Sequence, residues 1–491
     1  MGVDSGVRDG GIVLPSRSSI KFAKAVLADA VRGFVAALSQ SIASARIWHK
    51  EYLRALRSLT AVCASAPATA AGIAAEGLES ARGLVRCLVD SVEAPLSAGL
   101  WRTGAESFET ATVTGTADAV PELRITVDGV ELAGPALKDK LVDWRRRGIV
   151  EPSFVTAIER VIDNPKWLTL PGYQVVICGA GNEIAPFEPL TRWGAEVLII
   201  DKADPDLWQR LIDTAKAGAG SVTYPTGQQG PGADIAAQFP AVLDWILANT
   251  SKRRKLVFGS YSFGDAGARI ETAIGADVLA TELLDRRSNA GLAYVTTPTD
   301  CFAVKADVMA ESRRRWADRG IKGPVENALR FASRSALFKP NYREEVVDAN
   351  GIHWGIADAL AAVPGPEYAF ARRLQRWRGV LTREQGRPVS FNVAPATWTG
   401  TVRRNRMLTS TYIGAARMGV EVFEPETTRT LAAAKLVSDL FAPELVAAQA
   451  NPEELFYDGA AHSGVWRQPF EPITAMYLAV ATGYPLSLLR R

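Results

Sequence analysis

The chain has 491 residues, of which 47% are apolar and 22% charged, and its formal net charge is +3. This length exceeds that of one ordinary domain and allows a large buried core, while the small net charge gives no reason to expect a nucleic-acid partner. The four cysteines are widely spaced without a CxxC pair and the three histidines lack metal-ligand spacing, which argues against a disulfide framework, a zinc site or a histidine metal centre.

Neither a run of about twenty strongly apolar residues nor an N-terminal signal series is present, so the sequence predicts a cytoplasmic protein with no integral membrane span. Arginine clusters occur at 145–147, 313–315 and 403–404, in segments of mostly helical pattern. Solvated helix faces explain these clusters better than a nucleic-acid-binding surface does.

Residues 1–18 carry Gly, Ser and charge without a period, which predicts disorder. From residue 19 to about residue 101 the chain is rich in Ala, and apolar residues recur at helical spacing in two stripes, namely Phe22, Val26, Ala30, Phe34 and Leu38, then Ile47, Tyr52, Leu56 and Leu59. We expect these helices to pack on the main domain or on a second subunit, which would make a homo-oligomer. The alternative is a membrane-surface or lipid-binding helix pair, which the mixed charge of the polar faces disfavours.

The segment 122–132 has alternating apolar residues around Asp128-Gly129, a strong signal for a β-hairpin. Helical pattern follows at 137–147 and 152–162. The sequence therefore predicts a helical module with a β-hairpin over 19–165 and a major domain over 166–491.

The segment 173–201 has the order strand, tight turn, helix, strand, because an apolar run meets two glycines and a second apolar run ends on an aspartate. In a dinucleotide site the glycines let the backbone approach a pyrophosphate, the helix N-terminus supplies N–H groups, and the acidic residue binds a ribose. We predict such a site, with the cofactor-binding residues Gly179, Gly181, Asn182 and Asp201. Ile184 stands where the strict motif has its third glycine, and the alternative is a βαβ unit whose glycines only permit close helix packing.

Strands and helices continue to alternate beyond this unit. Further strands are predicted at 221–224, 255–258, 292–295 and 388–393, and helices at 241–248, 268–284 and 368–383. Strands alternating with helices of this length predict an α/β fold with a doubly wound, parallel Rossmann sheet.

Residues 305–366 interrupt the alternation with helical and loop sequence that is rich in Arg and aromatic residues. An insertion at the carboxyl ends of the strands is placed to cover a ligand crevice, so we expect a lid. Beyond it, a short strand is predicted at 421–423, a helix at 426–440, and a closing segment that includes 473–481 and packs back on the domain.

Residues with hydroxyl groups mark the ends of the later strands. The fifth strand ends on Thr296-Thr297, the next helix opens with Tyr368-Ala-Phe-Ala-Arg372, and the sixth strand leads through Pro395 to Thr399 and Thr401. From residue 173 to about residue 440 this succession resembles the short-chain dehydrogenase/reductase superfamily, nearest to its extended branch. In that family the fifth strand ends on Ser or Thr, the following helix bears Tyr-x-x-x-Lys, and the sixth strand ends in a turn that contains Pro.

The resemblance implies an NAD(P)-dependent oxidoreductase that acts on the carbonyl or alcohol group of a small molecule, which could be lipid-like. It implies Tyr368 as the acid/base, Thr296 or Thr297 as the hydrogen-bond partner of the substrate oxygen, and Arg372 as the cation beside the tyrosine. It further places Ser260, Tyr261 and Pro395 along the cofactor. Asp201 predicts a weak preference for NAD, because a carboxylate repels a 2′-phosphate, although Lys202 could offset this.

Arg372 departs from the family pattern, which has lysine at this position. A guanidinium can stabilise a tyrosinate, but its planar fork does not reproduce the contacts of lysine with a ribose. Two alternatives therefore stay open. One is a non-catalytic Rossmann protein that serves binding or scaffolding. The other is a methyltransferase, because the glycine turn and Asp201 also suit adenosylmethionine, although the landmarks at the later strands argue against it.

Overall fold

The computed structural model describes residues 11–15, 18–89, 92–99, 101, 107–120, 122–262, 269–359, 365–443 and 450–488. The strands in these ranges are, in chain order, β1 (Ile12–Val13), β2 (Arg86–Val89), β3 (Val92–Pro95), β4 (Glu109–Thr114), β5 (Arg124–Val127), β6 (Val130–Ala133), β7 (Tyr173–Cys178), β8 (Glu196–Ile200), β9 (Ser221–Gly227), β10 (Gly230–Pro231), β11 (Lys255–Ser260), β12 (Ala290–Thr296), β13 (Cys301–Val304), β14 (Glu345–Val347), β15 (His353–Asp358) and β16 (Val389–Val393).

The α-helices are, in chain order, α1 (Ser19–Arg32), α2 (Ala36–Ser44), α3 (Trp48–Ser65), α4 (Pro67–Leu84), α5 (Gly134–Arg146), α6 (Pro152–Asp163), α7 (Phe187–Arg192), α8 (Pro205–Ala217), α9 (Phe239–Asn249), α10 (Arg269–Arg286), α11 (Ala306–Ala317), α12 (Lys322–Ala332), α13 (Gly365–Glu384), α14 (Gly400–Arg404), α15 (Arg406–Arg417), α16 (Pro425–Phe441), α17 (Glu454–Tyr457) and α18 (Pro472–Ser487).

Six parallel strands form the central sheet, in the order β9-β8-β7-β11-β12-β16. Counted along the chain, these strands have the order 3-2-1-4-5-6, which is that of dinucleotide-binding folds. β4 and β10 both pair antiparallel with β9. The predicted α/β fold with a doubly wound, parallel Rossmann sheet is thus confirmed.

The parallel strands are nearly continuous apolar runs because helices cover both faces of the sheet. In β7, Val176 and Cys178 enter the core that contains α9, α10 and α13, whereas Val175 and Ile177 enter the core that contains α6 and α16. This period of two is the one expected for a strand buried on both sides.

The helices α1, α3 and α4 pack against α13, with α2 behind α1. Phe22 meets Phe370 edge-on at 5.9 Å between ring centroids, and Gly77 lies directly against the ring of Trp377. The N-terminal helices and the sheet therefore share one hydrophobic core. Most residues of the two predicted stripes are buried, although Phe34 and Ile47 are exposed.

Four arginines of α13 are buried inside the protein, namely Arg372, Arg373, Arg376 and Arg378. Arg376 forms ion pairs with Asp300 at 3.3 Å and with Glu453 at 2.6 Å. A buried charge is costly unless it is paired, so the two carboxylates and Arg376 depend on each other for their place in the core.

The other α13 arginines connect this helix to its neighbours. Arg378 donates two hydrogen bonds, of 2.6 and 2.9 Å, to Asp277 in α10, and Asp277 also pairs with Arg82 of α4 at 3.6 Å. Arg373 donates to the hydroxyl of Thr60 in α3 at 3.2 Å. These contacts fix α13 between the sheet and the N-terminal helices.

The described part of the insertion 305–366 contains two strands that the sequence did not predict, β14 and β15, and β15 pairs with β13, which precedes the insertion. β13, β15 and β14 form an antiparallel sheet that packs against α3. The Tyr342 hydroxyl donates to the Trp466 carbonyl at 2.6 Å, which ties the insertion to the C-terminal segment. The strand signals were missed because the strands are short and pair only with each other.

Three local predictions can be compared with the chain. β5 and β6 form the predicted hairpin, with Asp128 and Gly129 at φ of 51° and 79° in its turn. The segment 421–423 is not a strand, since Phe423 makes only an isolated bridge to Thr397. Within the N-terminus predicted to be disordered, β1 pairs with β2, while residues 1–10 and 16–17 lie outside the described residues.

A buried polar cluster holds the C-terminal segment beside the sheet. Glu151 accepts hydrogen bonds from His462, Arg467 and Tyr457, each at 2.8 Å. Burial opposes the ionisation of Glu151, but the bond from His462 and the charge of Arg467 hold its pKa below the ordinary value. The segment anchored in this way includes Val465, which lines a cleft of about 1200 Å³.

We expect Arg376→Met to lower the free energy of unfolding by about 3–5 kcal/mol, because Asp300 and Glu453 then lack the cation between them. Denaturant-induced unfolding followed by circular dichroism measures the change. Arg314→Met is the matched control, since Arg314 pairs with Glu311 at the surface, where an ion pair contributes about 0–1 kcal/mol. Equal effects of the two substitutions would contradict the structural role of the α13 arginines.

Candidate functional site

A cleft of about 1200 Å³ crosses the carboxyl edge of the parallel sheet. It begins beside Asp201 and Ile235, passes Gly179 and Thr297, and continues between α15 and α18. In open parallel sheets ligands bind at this edge, next to the point where the strand order reverses. Here that point lies between β7 and β11.

The turn after β7 is closed by backbone contacts. Gly179 has a φ of +86°, and a Cβ at this position would lie 2.4 Å from the Ser262 backbone nitrogen. The Tyr261 N–H donates to the Cys178 carbonyl at 2.8 Å, so the ends of the first and fourth parallel strands are in direct contact. Only glycine fits at position 179.

Asn182 ties this turn to the loop after β11. Its side-chain amide donates to the Tyr261 carbonyl at 2.7 Å and accepts from the Ile184 N–H at 3.1 Å. The helix α7 begins only at Phe187 and has six residues. The expectation that a helix N-terminus at the glycine turn supplies N–H groups to a pyrophosphate is therefore wrong, and Ile184, in place of the third glycine, is buried.

Asp201 holds the glycine turn from the adjacent strand. Its carboxylate accepts from the Gly181 N–H at 2.8 Å and from the Lys202 N–H at 2.9 Å. Burial raises the pKa of Asp201 above its ordinary value, against the effect of these two bonds. A Cβ on Gly181 would lie 2.3 Å from a methyl carbon of Leu207, so this glycine makes room for a side chain of the protein itself.

Ser260 and Tyr261, predicted to line the cofactor, lie inside the protein. The Ser260 hydroxyl accepts from the Gln375 amide at 3.1 Å, and both residues are almost fully buried. Burial also raises the pKa of Tyr261 far above its ordinary value. The next residue, Ser262, lines the cleft instead, while the rest of this loop, 263–268, lies outside the described residues.

At the end of β12 the two predicted threonines differ in position. Thr297 lines the cleft, and its hydroxyl lies 2.6 Å from that of Thr299, which also lines it. Thr296 is buried in the sheet. The sequence could not separate the two, because the last residue of a strand was uncertain by one position.

Tyr368 lies in the first turn of α13 and lines the cleft together with Thr297. The guanidinium carbon of Arg269 lies 5.9 Å from the centre of its ring, and that of Arg372 lies 5.3 Å from it. Two cations thus flank the tyrosine that the sequence singled out.

Arg372 lies behind the wall of the cleft and is 2% exposed. It donates to the carbonyls of Val295 and Ser262, both at 3.3 Å, and to the Gln375 side chain at 2.6 Å. Burial lowers the pKa of Arg372 to about 10, so the group stays charged at neutral pH. It can act on Tyr368 through its charge.

Pro395 does not line the cleft, but the residues after it do. Ala396, Thr399 and Thr401 all contribute to the wall. The Ala396 N–H donates to the Ser463 hydroxyl at 2.8 Å, and the Thr399 hydroxyl caps α14. The turn after the sixth parallel strand therefore reaches the cleft through positions 396–401.

Several cleft residues were not singled out from the sequence. Arg210, Arg269 and Arg404 bring positive charge to the wall, while α15 and α18 close its far end. Arg269 begins α10 directly after the loop of the fourth strand, so its place at the carboxyl edge follows from the strand–helix order. The described residues of the insertion 305–366 contribute only Ala359 to the wall, so this part of the expected lid does not cover the cleft.

In the described part of the chain, no group of three or more His, Cys, Asp or Glu side chains is arranged to hold a metal ion. No helix in the same ranges is long and apolar enough to cross a membrane. The four cysteines are buried and form no disulfides.

No protein-family model matches the chain, and no curated protein matches it. Among solved structures, it is similar to an A1-type ketoreductase, with 15% sequence identity and a TM-score of 0.31. The match covers 58% of this chain and 53% of the other, so the chain spans about half the length of that relative. A likeness at this level assigns no function, and the fold assignment rests on the strand order.

We expect Gly181→Val to reduce the affinity for a nicotinamide dinucleotide at least about tenfold, because the added side chain displaces Leu207 and Asp201 at the turn. Thermal stability should change little, since the Leu207 side chain can move. Calorimetric titration with NADH and thermal denaturation measure the two effects.

Gly33→Val is the control for this substitution, because a Cβ on Gly33 would meet open space. If Gly181→Val binds NADH as tightly as the Gly33→Val control does, the turn is not part of a cofactor site.

Proposed function

We propose that the protein is an NAD(P)-dependent oxidoreductase that interconverts a carbonyl and an alcohol. The observation that carries the proposal is one continuous cleft at the carboxyl edge of a 3-2-1-4-5-6 sheet. It unites Gly179 and Asp201, at the expected cofactor end, with Thr297 and Tyr368, the hydroxyl groups expected to serve a substrate.

The cleft suits a dinucleotide in its size and in the residues at its first end. Ile200 and Ile235 offer apolar contacts to a planar base. Asp201 lines the same end of the cleft, where its carboxylate could accept hydrogen bonds from a ribose. The glycines do not form the expected binding site for a pyrophosphate. The Leu207 side chain occupies the space beside Gly181, and α7 begins only eight positions after Gly179, so no helix N-terminus lies at the turn. The pyrophosphate therefore needs another partner.

We assign that role to Arg269. It lines the same cleft, and its guanidinium carbon lies 5.9 Å from the centre of the Tyr368 ring. A guanidinium matches phosphate oxygens with paired hydrogen bonds. The cation would replace the helix N-terminus that this chain lacks at the glycine turn.

A bound nicotinamide supplies or accepts a hydride. The protein must then hold the substrate oxygen and move a proton at that atom. Tyr368 is the group for the proton transfer, and Thr297 is the hydrogen-bond partner that orients the oxygen. Arg372 stays charged behind the ring and would stabilise the tyrosinate electrostatically, without reaching a ribose.

Charge at the cofactor end favours NAD weakly over NADP. Three carboxylates line this end, those of Asp201, Asp204 and Asp234, against the cations Lys202 and Arg210. A 2′-phosphate would meet more negative than positive charge there. The preference is small because Lys202 lies next to Asp201.

One pair of observations favours a second function, that of a non-catalytic Rossmann protein that binds or scaffolds. Arg372 is buried on carbonyl oxygens, and both glycines of the turn are in contact with the protein itself. The same contacts would be present in a protein in which they serve stability alone and no reaction is catalysed. Turnover separates the two functions.

Tyr368→Phe should cost about 10²-fold or more in kcat with cofactor affinity nearly unchanged, because it removes only the oxygen that moves the proton. The measurement is turnover with NADH against a panel of aldehydes and ketones and with NAD⁺ against the corresponding alcohols, with NADH affinity measured in parallel. Arg372→Lys should keep activity, whereas Arg372→Met should lose it with the charge beside the ring.

Tyr412→Phe provides the comparison, since Tyr412 also lines the cleft but burial raises its pKa to about 12. We expect Tyr412→Phe to lower kcat by less than about tenfold. A Tyr368→Phe variant as active as the wild type, beside an inactive Tyr412→Phe variant, would move the acid/base role to Tyr412. No turnover in any of the proteins would favour the binding protein.

For the cofactor, the wild type should bind NADH more tightly than NADPH by less than about tenfold. Lys202→Met should weaken NADPH binding and leave NADH within about twofold, because it removes a cation from the ribose end. Lys216→Met, on the same segment but outside the cleft, is the control. Tighter NADPH binding by the wild type would show that Lys202 outweighs the carboxylates.

A further inference from the structure

The far arm of the cleft has a different chemical character from the cofactor end. Its walls come from α15, the residues that follow α15, the segment before α18 and α18 itself, with side chains such as Leu408, Met418, Val422, Ile473 and Met476. Among the described residues that line the cleft from position 408 onward, none is charged, whereas the cofactor end carries acidic and basic groups. The polar side chains of the far arm are Thr411, Tyr412 and Gln468, and the remaining lining residues are apolar, so an apolar group gains more from these walls than a charged group does.

The arm is built by two helices in close contact. A Cβ on Gly414 of α15 would lie 1.9 Å from the Ala479 carbonyl oxygen, and one on Gly483 of α18 would lie 1.9 Å from the Ser410 carbonyl oxygen. The Ser410 and Ser487 hydroxyls are 3.1 Å apart at the same crossing. This contact fixes the two walls relative to each other, so the arm is part of the folded protein.

The arm opens beside the proposed reaction centre. Tyr412, on the α15 wall, has its pKa raised first by burial and then by the neighbouring Tyr368. One continuous cavity connects both tyrosines with Thr297. Its volume of about 1200 Å³ exceeds the roughly 300–1,000 Å³ of an ordinary small-molecule site, which leaves room for a second ligand beside a dinucleotide.

We infer that the arm binds the apolar chain of the substrate, so that the substrate is a medium- or long-chain aliphatic ketone, aldehyde or the corresponding alcohol. The identity of the reacting group rests on the proposed function. The identity of the chain rests on the apolar walls of the cleft. In the reduction, the carbonyl carbon accepts hydride from NADH and the oxygen accepts a proton, which gives the alcohol and NAD⁺. The reactive end would face Tyr368 and the chain would lie along α15 and α18.

Chain length tests this assignment. We expect kcat/KM for 2-butanone, 2-hexanone, 2-octanone and 2-decanone to rise about threefold per buried methylene until the arm is filled. Ala415→Phe fills the arm and should cut kcat/KM for 2-decanone at least about tenfold, with 2-butanone within about twofold. Ala416→Phe is the matched control, because the neighbouring residue is exposed and does not line the cleft.

A second pair of variants changes polarity without adding volume. Met476→Gln places an amide in the arm, whereas Tyr477→Gln alters the next residue, which is 71% exposed on the outer face of α18. The first should lower kcat/KM for 2-decanone at least about fivefold and the second should not. These variants keep the assignment testable if Ala415→Phe does not fold.

Calorimetric titration of cofactor-free protein with 2-decanone separates this inference from the proposed function. Binding that Ala415→Phe abolishes, without any nicotinamide-dependent turnover, would support the arm and remove the oxidoreductase. Turnover that does not depend on chain length would overturn the arm and keep the oxidoreductase. Absence of both binding and turnover would overturn the inference.

Discussion

The architecture of the cleft depends on the burial of the α13 arginines. Their guanidinium groups are enclosed between the sheet and the N-terminal helices, where each charge needs oxygen partners. Arg376 has two carboxylates, Arg378 has the carboxylate of Asp277, and Arg372 has carbonyl oxygens from the β12 strand and the loop after β11. Because these partners lie on different elements, α13 has one position in the fold. Tyr368, in its first turn, is thereby placed at the carboxyl edge of the sheet.

The turn after β7 shows how a binding motif can serve the fold as well. Asn182 and the Tyr261 backbone close the switch point with hydrogen bonds, and Asp201 supports the turn from the next strand. These contacts fill the space inside the turn, so under the proposed function the cofactor would lie over the turn. Under the proposed function, cations on the cleft wall carry the role that a helix N-terminus has in other dinucleotide folds. The use of cations in place of a helix N-terminus explains why the glycine motif is irregular although the strand order is regular.

The sequence predicted the parallel strands well, because a strand buried on both faces is a short apolar run between turn residues and needs no knowledge of its partners. It failed where position depends on tertiary contacts. Ser260 and Tyr261 were predicted to follow a strand in a cofactor-lining loop, yet the strand continues two residues further than predicted and both side chains are buried. The start of α7 and the strands of the insertion depend on packing that local pattern does not contain. The far arm was missed because α15 and α18 lie far apart in the sequence, and local pattern does not show that they pack against each other.

The central claim is that the cleft holds a nicotinamide dinucleotide, and calorimetric titration of the purified protein tests it most directly. NADH, NADPH and adenosylmethionine are titrated separately into the intact chain under one set of conditions. The account predicts one site for NADH with a Kd of about 1–100 μM, in the range of common cofactor affinities, and no binding of adenosylmethionine. Binding of adenosylmethionine, or no heat of binding with either nicotinamide dinucleotide, would contradict it.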